Sequence, residues 1–423
     1  PAITILPSVC SVTPSAPSVP TDSPVAVALL AWSRRHLDVD TEPAPTARTM
    51  STQTLVAAFT TASPTTTTVG VGVQPIAVAV GQDGNTAYVT NNASNTVSVV
   101  DTTAGLVTAT IAVGSSPIGI AITPSGSTAY VANGNDGTVS VIDTIGNTVA
   151  QTITTGGSPY AVAVSPDGTH AYVTNLSNRT VSVIDTATNT VHATVGVGRL
   201  PYGAVVTPDN AHVYVSNGLD NTVSVIDTAT NTVATTIAVG TGPAGITVSA
   251  NGSHVYVANH LANTVSVIDT ATNTVTATIA VPGTPMGVAV TPDDSQLYVT
   301  ALGANALRVV DVATGSVIET KTTPAPIGIA LSPDAGVAYV TNAFANSLSI
   351  LTLNTPNAAP VVQGPASVSA ADPATGLVSG SMNVVDPDAD SLTYTVTTDA
   401  TKGSVAVDTA TGAFMTAGDS WSI

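Results

Sequence analysis

The stretch YVTNLSNRTVSVIDTATNTV, residues 172–191, is nearly repeated by YVSNGLDNTVSVIDTATNTV at 214–233 and by YVANHLANTVSVIDTATNTV at 256–275. Working outward, the same tyrosine returns at Tyr88, Tyr130, Tyr172, Tyr214, Tyr256, Tyr298 and Tyr339, spaced by 42 residues five times and by 41 once. Each period holds four apolar runs. In 159–198 these are YAVAVS, HAYVTN, TVSVID and TVHATVGV, separated by PDG, by an Asn/Ser loop and by DTATN. Within a run Val alternates with Thr or Ser, the period-two signature of a strand, and Gly, Pro and Asn punctuate the ends. A helical solenoid of similar period is excluded, because β-branched residues dominate and a breaker recurs every ten residues or so.

A four-strand unit repeated every 40–50 residues predicts one propeller blade per repeat. The seventh unit shows three strands only (IGIALS, VAYVTN, SLSILTL), whereas TTTTVGVG at 65–72 aligns with the outermost strand of the other units. The expectation is that 65–72 completes blade seven and seals the ring, which removes two exposed sheet edges. The fold class is therefore all-β: a seven-bladed, four-stranded β-propeller over 65–354.

The motifs YVTN, YVSN and YVAN, followed by NTVSVIDTATNTV and by a P-x-G-x-AVTPDG pattern, resemble the YVTN β-propeller repeat family. The resemblance implies an exported bacterial or archaeal surface protein whose propeller binds or adheres. It carries no shared catalytic residues. The tail, residues 355–423, contains VVDPDADSLTYTV and KGSVAVDTATGAF and is similar to cadherin-like or VCBS-type Ig-fold modules. Only about five strands are legible there, so an incomplete sandwich is expected. Residues 1–64 are Pro/Ser/Thr-rich. Within them, Ser23 as N-cap, Pro24 at the first helical position and Arg34 and Arg35 in the last turn predict one helix over 24–37.

Composition narrows the function. Of 423 residues only 8% are charged, and 8 Lys+Arg against 26 Asp+Glu leave a net charge of −18. Such a surface repels phosphate backbones, and single-stranded DNA binding also lacks a basic groove. Cys10 is the only cysteine, so no internal disulfide forms. Its preceding PSV is a poor match to a lipid-anchoring site. The apolar run VAVALLAW (25–32) is too short to span a bilayer, and any signal peptide would already be gone.

Four constellations come into question as sites. Asp101, Asp143, Asp185, Asp227, Asp269 and Asp311 open successive DTATN-like turns, where the residue type favours capping of local N–H groups over a metal ring. His170, His212 and His254 recur on neighbouring blades as inherited repeat positions, too far apart to share one zinc ion. Asp386, Asp388 and Asp390 form an oxygen-rich run of the kind that suits calcium, the one cofactor in question, or else a solvated acidic turn.

The fourth lies where the repeats differ. Arg179, Arg199, Leu200, Tyr160 and Tyr202 fall in units three and four, with His260 and Phe344 at equivalent loop positions elsewhere. Departures at an exposed mouth are where function is grafted onto a rigid scaffold. The expected activity is non-enzymatic: binding of a protein or an anionic or glycan partner at the cell surface, through Arg charge and Tyr stacking. The rival is a lactonase- or hydrolase-type enzyme acting in the central channel. The innermost strands give it no acid or base beyond the two tyrosines.

Overall fold

The computed structural model describes residues 66–353 in full and, outside that range, only the backbone of a few short strands. The chain divides into two compact units, Pro64–Leu353 and a second one formed by Pro1–Ser63 with Asn354–Ile423.

Unit Pro64–Leu353 is a seven-bladed propeller of four-stranded antiparallel sheets. The blades begin with innermost strands at Pro75–Val80, Pro117–Ile122, Pro159–Val164, Pro201–Val206, Pro243–Val248, Pro285–Val290 and Pro326–Leu331, and are numbered 1 to 7 in that order. Blade 3 is representative. Its innermost strand pairs with His170–Asn175, which pairs with Thr180–Asp185, which pairs with Thr190–Gly196. Blade 7 is closed as the repeat count requires: Thr66–Gly70 pairs antiparallel with Ser347–Thr352, in the register Thr66↔Leu351 to Gly70↔Ser347. Val69 of this strand is buried in one cluster with Val78, Val89, Tyr339 and Leu348, so the seam between the two ends has a core of its own.

Each letter of the recurring YVTN motif has a structural task. The Tyr reaches into the next blade: the Tyr130 hydroxyl donates to Asn189 Oδ1 (2.6 Å) and that of Tyr214 to Asn273 Oδ1 (2.6 Å). The Val is buried between sheets, as are the Ile residues of the third strands (Ile142, Ile184, Ile226, Ile268). Burying each such side chain contributes roughly 1.5–3 kcal/mol. The Thr or Ser links neighbouring hubs. Thr90, Thr174, Ser216, Thr300 and Thr341 donate to the carbonyls of Ile118, Tyr202, Ala244, Ile327 and Ile76 on the following innermost strand, at 2.6–3.0 Å. Blades 2 and 5 carry Ala132 and Ala258 at this position and have no such link. Finally the Asn amide holds the third strand, Asn175 Nδ2 donating to Thr180 Oγ1 (3.2 Å) and Ser182 Oγ (2.9 Å).

Crowding at the hub explains the small residue two places after each Pro. A Cβ at Gly119 would sit 2.5 Å from the Tyr160 carbonyl, and one at Gly328 would sit 2.4 Å from that of Ile76. Gly at these positions lets the innermost backbones come this close, and Ala77 and Ala161 take the place in blades 1 and 3.

The second unit differs from the sequence expectation. Residues Val27–Trp32 form a strand, antiparallel to Gln53–Phe59, rather than part of a helix over 24–37. Gln53–Phe59 also pairs with Leu392–Val396 on its other side. Cross-strand pairing outside the local window satisfies the backbone that the capping residues alone would have placed in a helix. Segments from both ends of the chain thus share a three-stranded sheet, accompanied by a two-stranded and a four-stranded sheet built from residues after 360. Asp386, Asp388 and Asp390 lie outside the described residues.

Candidate functional site

The two faces of the disc are built from different loops. On one face lie the hairpins between first and second strands and those between third and fourth strands. Here the Asp series caps turns: Asp185 Oδ1 accepts from Thr188 N (2.8 Å) and Thr188 Oγ1 (2.9 Å), and Asp227, Asp269 and Asp311 do the same with Thr230, Thr272 and Thr314. These hydrogen bonds, from backbone and hydroxyl donors, hold the four carboxyls below the usual carboxylate range. Two of the three His rings also find local polar neighbours. His254 Nδ1 lies 3.2 Å from Asp294 Oδ2, and His170 Nδ1 lies 2.8 Å from Thr169 Oγ1. Among the described residues no group of three metal-ligating side chains converges.

The opposite face, the mouth, carries the connections between blades and the loops between second and third strands. They are tied to one another: Gly218 N donates to Leu200 O, Leu219 N to Arg199 O, and Val197 N to Arg179 O. A connecting residue just before each innermost Pro is normally capped by an Asn from the preceding blade, as Gln74 N is by Asn346 Oδ1 (2.9 Å) and Gly242 N by Asn221 Oδ1 (2.9 Å). Arg179 occupies that Asn position in blade 3, with φ 56°. A guanidinium cannot accept, so Leu200 ahead of blade 4 has no Asn cap; Asp220 holds the neighbouring Arg199, from the loop position at which Ser94 and Asp136 hold Val73 and Ser115. The Asp220 carboxylate accepts from Arg199 N (2.7 Å) and pairs with Arg199 Nε (2.5 Å). These bonds to the Arg199 backbone and guanidinium, with a smaller contribution from the Arg179 charge, lower the Asp220 pKa.

Beside this pair runs an arc of rings. Tyr160 and Tyr202, each following the Pro of an innermost strand, meet edge to face with centroids 5.0 Å apart. Tyr202 and His260 meet edge to face at 6.5 Å. The Tyr202 ring lies over Gly218, where a Cβ would come within 2.5 Å of it. His260 Nδ1 must donate to the Gly242 carbonyl at 2.6 Å, which leaves Nε2 as an acceptor in the neutral ring. Burial, and secondarily the neighbouring Tyr202, pushes the Tyr160 phenol up to about 12.

The residues singled out in the sequence therefore fall into two sets. Tyr160, Tyr202 and His260 are brought together across blades 3 to 5, and Arg179, Arg199 and Leu200 line the adjoining connection. Phe344 stands apart on blade 7. Sequence reasoning missed Asp220, which occupies one of the two Arg charges, and the exposed leucines Leu219 and Leu261 on the same loops. Aligning the loop-tip positions blade by blade would have exposed both.

The innermost strands contain no Asp, Glu, His, Lys, Arg or Cys, leaving Tyr160 and Tyr202 as their ionisable groups. No described helix is long and apolar enough to cross a membrane.

Comparison with known proteins agrees with the architecture. Residues 234–331 match the family described as YNCE-like beta-propeller. Among solved structures, a Kuenenia stuttgartiensis hydrazine synthase chain is similar with a TM-score of 0.62 and 22% identity, over 66% of this chain and 96% of that one. At this identity the likeness is one of fold. No curated protein matches the chain.

Proposed function

We propose that this protein is a non-enzymatic propeller scaffold of the cell envelope that binds a partner at the mouth of the disc, over blades 3 to 5. One observation carries the reading: repeat-conforming side chains are consumed in holding blades together, while the ring arc and the two arginines, all departures from the repeat, gather in a single sector. Catalysis in the channel would call for converging acid, base or metal groups, and the innermost strands supply only two tyrosines. A rigid rim with aromatic faces and guanidinium donors is chemistry for recognition.

The test is a binding screen of the full chain against envelope polymers and proteins, repeated with Tyr202→Ala. Retention that disappears in the variant, with the cooperative unfolding transition of the propeller preserved, is the expected result. Equal retention by both proteins would remove the mouth from the function.

A further inference from the structure

Resting on the mouth-face reading, we infer that the partner is a polypeptide: an apolar segment carrying an acidic side chain, seated over the channel mouth with its carboxylate toward Arg179. The loop between second and third strands ends, in each blade, in one tip residue. Blades 4, 5 and 7 place Leu219, Leu261 and Phe344 there, with exposures of 56%, 66% and 77%. The other four blades have Ala, Asn, Ser or Gly at the same position. Single exposed apolar residues occur elsewhere on the propeller, among them Ile145, Leu106 and Ile318, but Leu219 and Leu261 sit on adjacent blades beside the ring arc, and that pairing marks an interaction surface.

The layer beneath the tips has the same character. The residue following each innermost Pro is Ile, Tyr or Met in six blades and Ala in the other. Together tips and hub carry sparse polar equipment. Arg199 and Asp220 already satisfy each other at 2.5 Å, and His260 has committed Nδ1 to a backbone carbonyl. A glycan presents a hydroxyl at nearly every carbon and needs several free donors and acceptors. An apolar side chain needs apolar and aromatic surface with a few polar groups beside it, and this mouth carries both.

Charge selects the acidic flank. Between residues 66 and 353 there are fifteen carboxylates and four basic side chains. Twelve of the carboxylates lie in the hairpin turns of the opposite face, whereas Arg179 and Arg199 are the basic side chains of the mouth. The mouth loops also carry Asp136 and Asp220, but Asp220 is taken up by Arg199. An acidic partner is therefore repelled from the hairpin face and finds in Arg179 a cation without an ion pair among the described residues, beside the ring arc.

The experiment measures fluorescence anisotropy of the full chain with three randomised short-peptide pools: Leu/Phe/Gly/Asp, the same with Lys for Asp, and the same with Ser for Leu and Phe. Neutral and uronic-acid oligosaccharides and phosphatidylglycerol vesicles run in parallel. The Leu/Phe/Asp pool is expected to bind about tenfold tighter than either control. The double variant Leu219→Ser/Leu261→Ser should lose about that factor, and Arg179→Ala should abolish the preference for Asp over Lys with the melting temperature unchanged. Equal binding of the three pools, or insensitivity to both variants, overturns the inference. So does vesicle binding, or concentration-dependent self-association, that the Leu219→Ser/Leu261→Ser change removes, since lipid or a second copy would then own the patch. Oligosaccharide binding lost in Tyr202→Ala, with no peptide binding, would sink the polypeptide class and leave the mouth-face reading standing. No binding of any class ends both.

Discussion

The hairpin face and the mouth face of this propeller are made by the same seven repeats, yet they have diverged in opposite ways. On the hairpin face successive blades do nearly the same thing: an Asp caps a turn, a Thr hydroxyl ties the two hairpins, and a Tyr bolts into the next blade. Thr186 Oγ1 donating to Gly168 O at 2.6 Å is matched by Thr144 to Gly126 and Thr270 to Gly252 at the same distance. On the mouth face, loops built on one plan carry Arg, Leu, His, Phe or Gly, the connection ahead of blade 7 is one residue shorter, and the blade 6 loop turns through a short 3-10 segment at Leu302–Ala304. Where a side chain is fixed by its role in stability, repeats stay alike. Where the backbone alone sustains the loop, they are free to specialise.

That contrast predicts which changes cost stability and which do not. The largest effect should follow deletion of Thr66–Gly70. It strips the fourth strand from blade 7 and the buried Val69 from the closing seam, and a loss of ~3–5 kcal/mol, comparable to a large-to-small core change, is expected. Calorimetry should show the propeller transition falling by ~10 °C. An unmoved transition would mean that the ring does not depend on its closure.

Acid should act next, and mainly on the hairpin face. Asp185, Asp227, Asp269 and Asp311 have carboxyls held low by their turn hydrogen bonds. A carboxyl depressed in the folded state contributes stability above its unfolded value of about 3.9, and that contribution is lost as pH falls through the lower folded value. The melting temperature should hold from neutrality to about pH 5 and drop below about pH 4. A variant with Asn at Asp185, Asp227 and Asp269 should start lower at neutral pH and drop less. Parallel curves for the two proteins would show that these turns do not govern acid stability.

An intermediate effect is expected at blade 6, a departure outside the mouth. Lys321 stands where the other outermost strands bury Val69, Ile111, Ile153, Val195, Ile237 and Ile279. Its side chain is 11% exposed, with Nζ 2.7 Å from Glu319 Oε1. Glu319→Ala leaves that ammonium without its partner and should cost roughly 1–3 kcal/mol, discounted because Glu319 is partly solvated. Lys321→Ile should be neutral or stabilising, and should erase the effect of Glu319→Ala in a double-variant cycle by urea unfolding. Additive losses would break this reading.

Smaller gains should come from supplying the missing hub links. Ala132→Thr or Ala258→Ser adds a hydroxyl facing the carbonyl of Tyr160 or Met286, worth about 0.5–1.5 kcal/mol if accommodated. Smallest of all, Arg179→Ala should change stability by less than ~0.5 kcal/mol, because Arg179 is exposed. A large loss there would show that the mouth sector is part of the scaffold after all.

Much of the fold was legible because the propeller is written seven times. A single run such as TVSVID is ambiguous, but its recurrence with the same breakers fixes strand type, blade count and the missing fourth strand of the seventh unit. The helix expected over 24–37 had no such redundancy. Its Ser-Pro start and Arg-Arg end are genuine local signals, and pairing of Val27–Trp32 with Gln53–Phe59 overrode them. At the mouth, the sequence marked Tyr160, Tyr202 and His260 as unusual without showing that their rings meet. It marked Arg199 as a free cation, whereas Asp220, 21 residues further on, takes up that charge.

By itself, then, the sequence determined the period, the strand pattern, the closure of the ring and the list of positions where blades disagree. These follow from local periodicity and from the need to leave no sheet edge unpaired. Only the tertiary structure decided which disagreements are neighbours. Adjacency around a disc joins residues about forty apart, and whether an arginine is free or paired depends on a carboxylate in the next loop, a relation that distance along the chain does not encode.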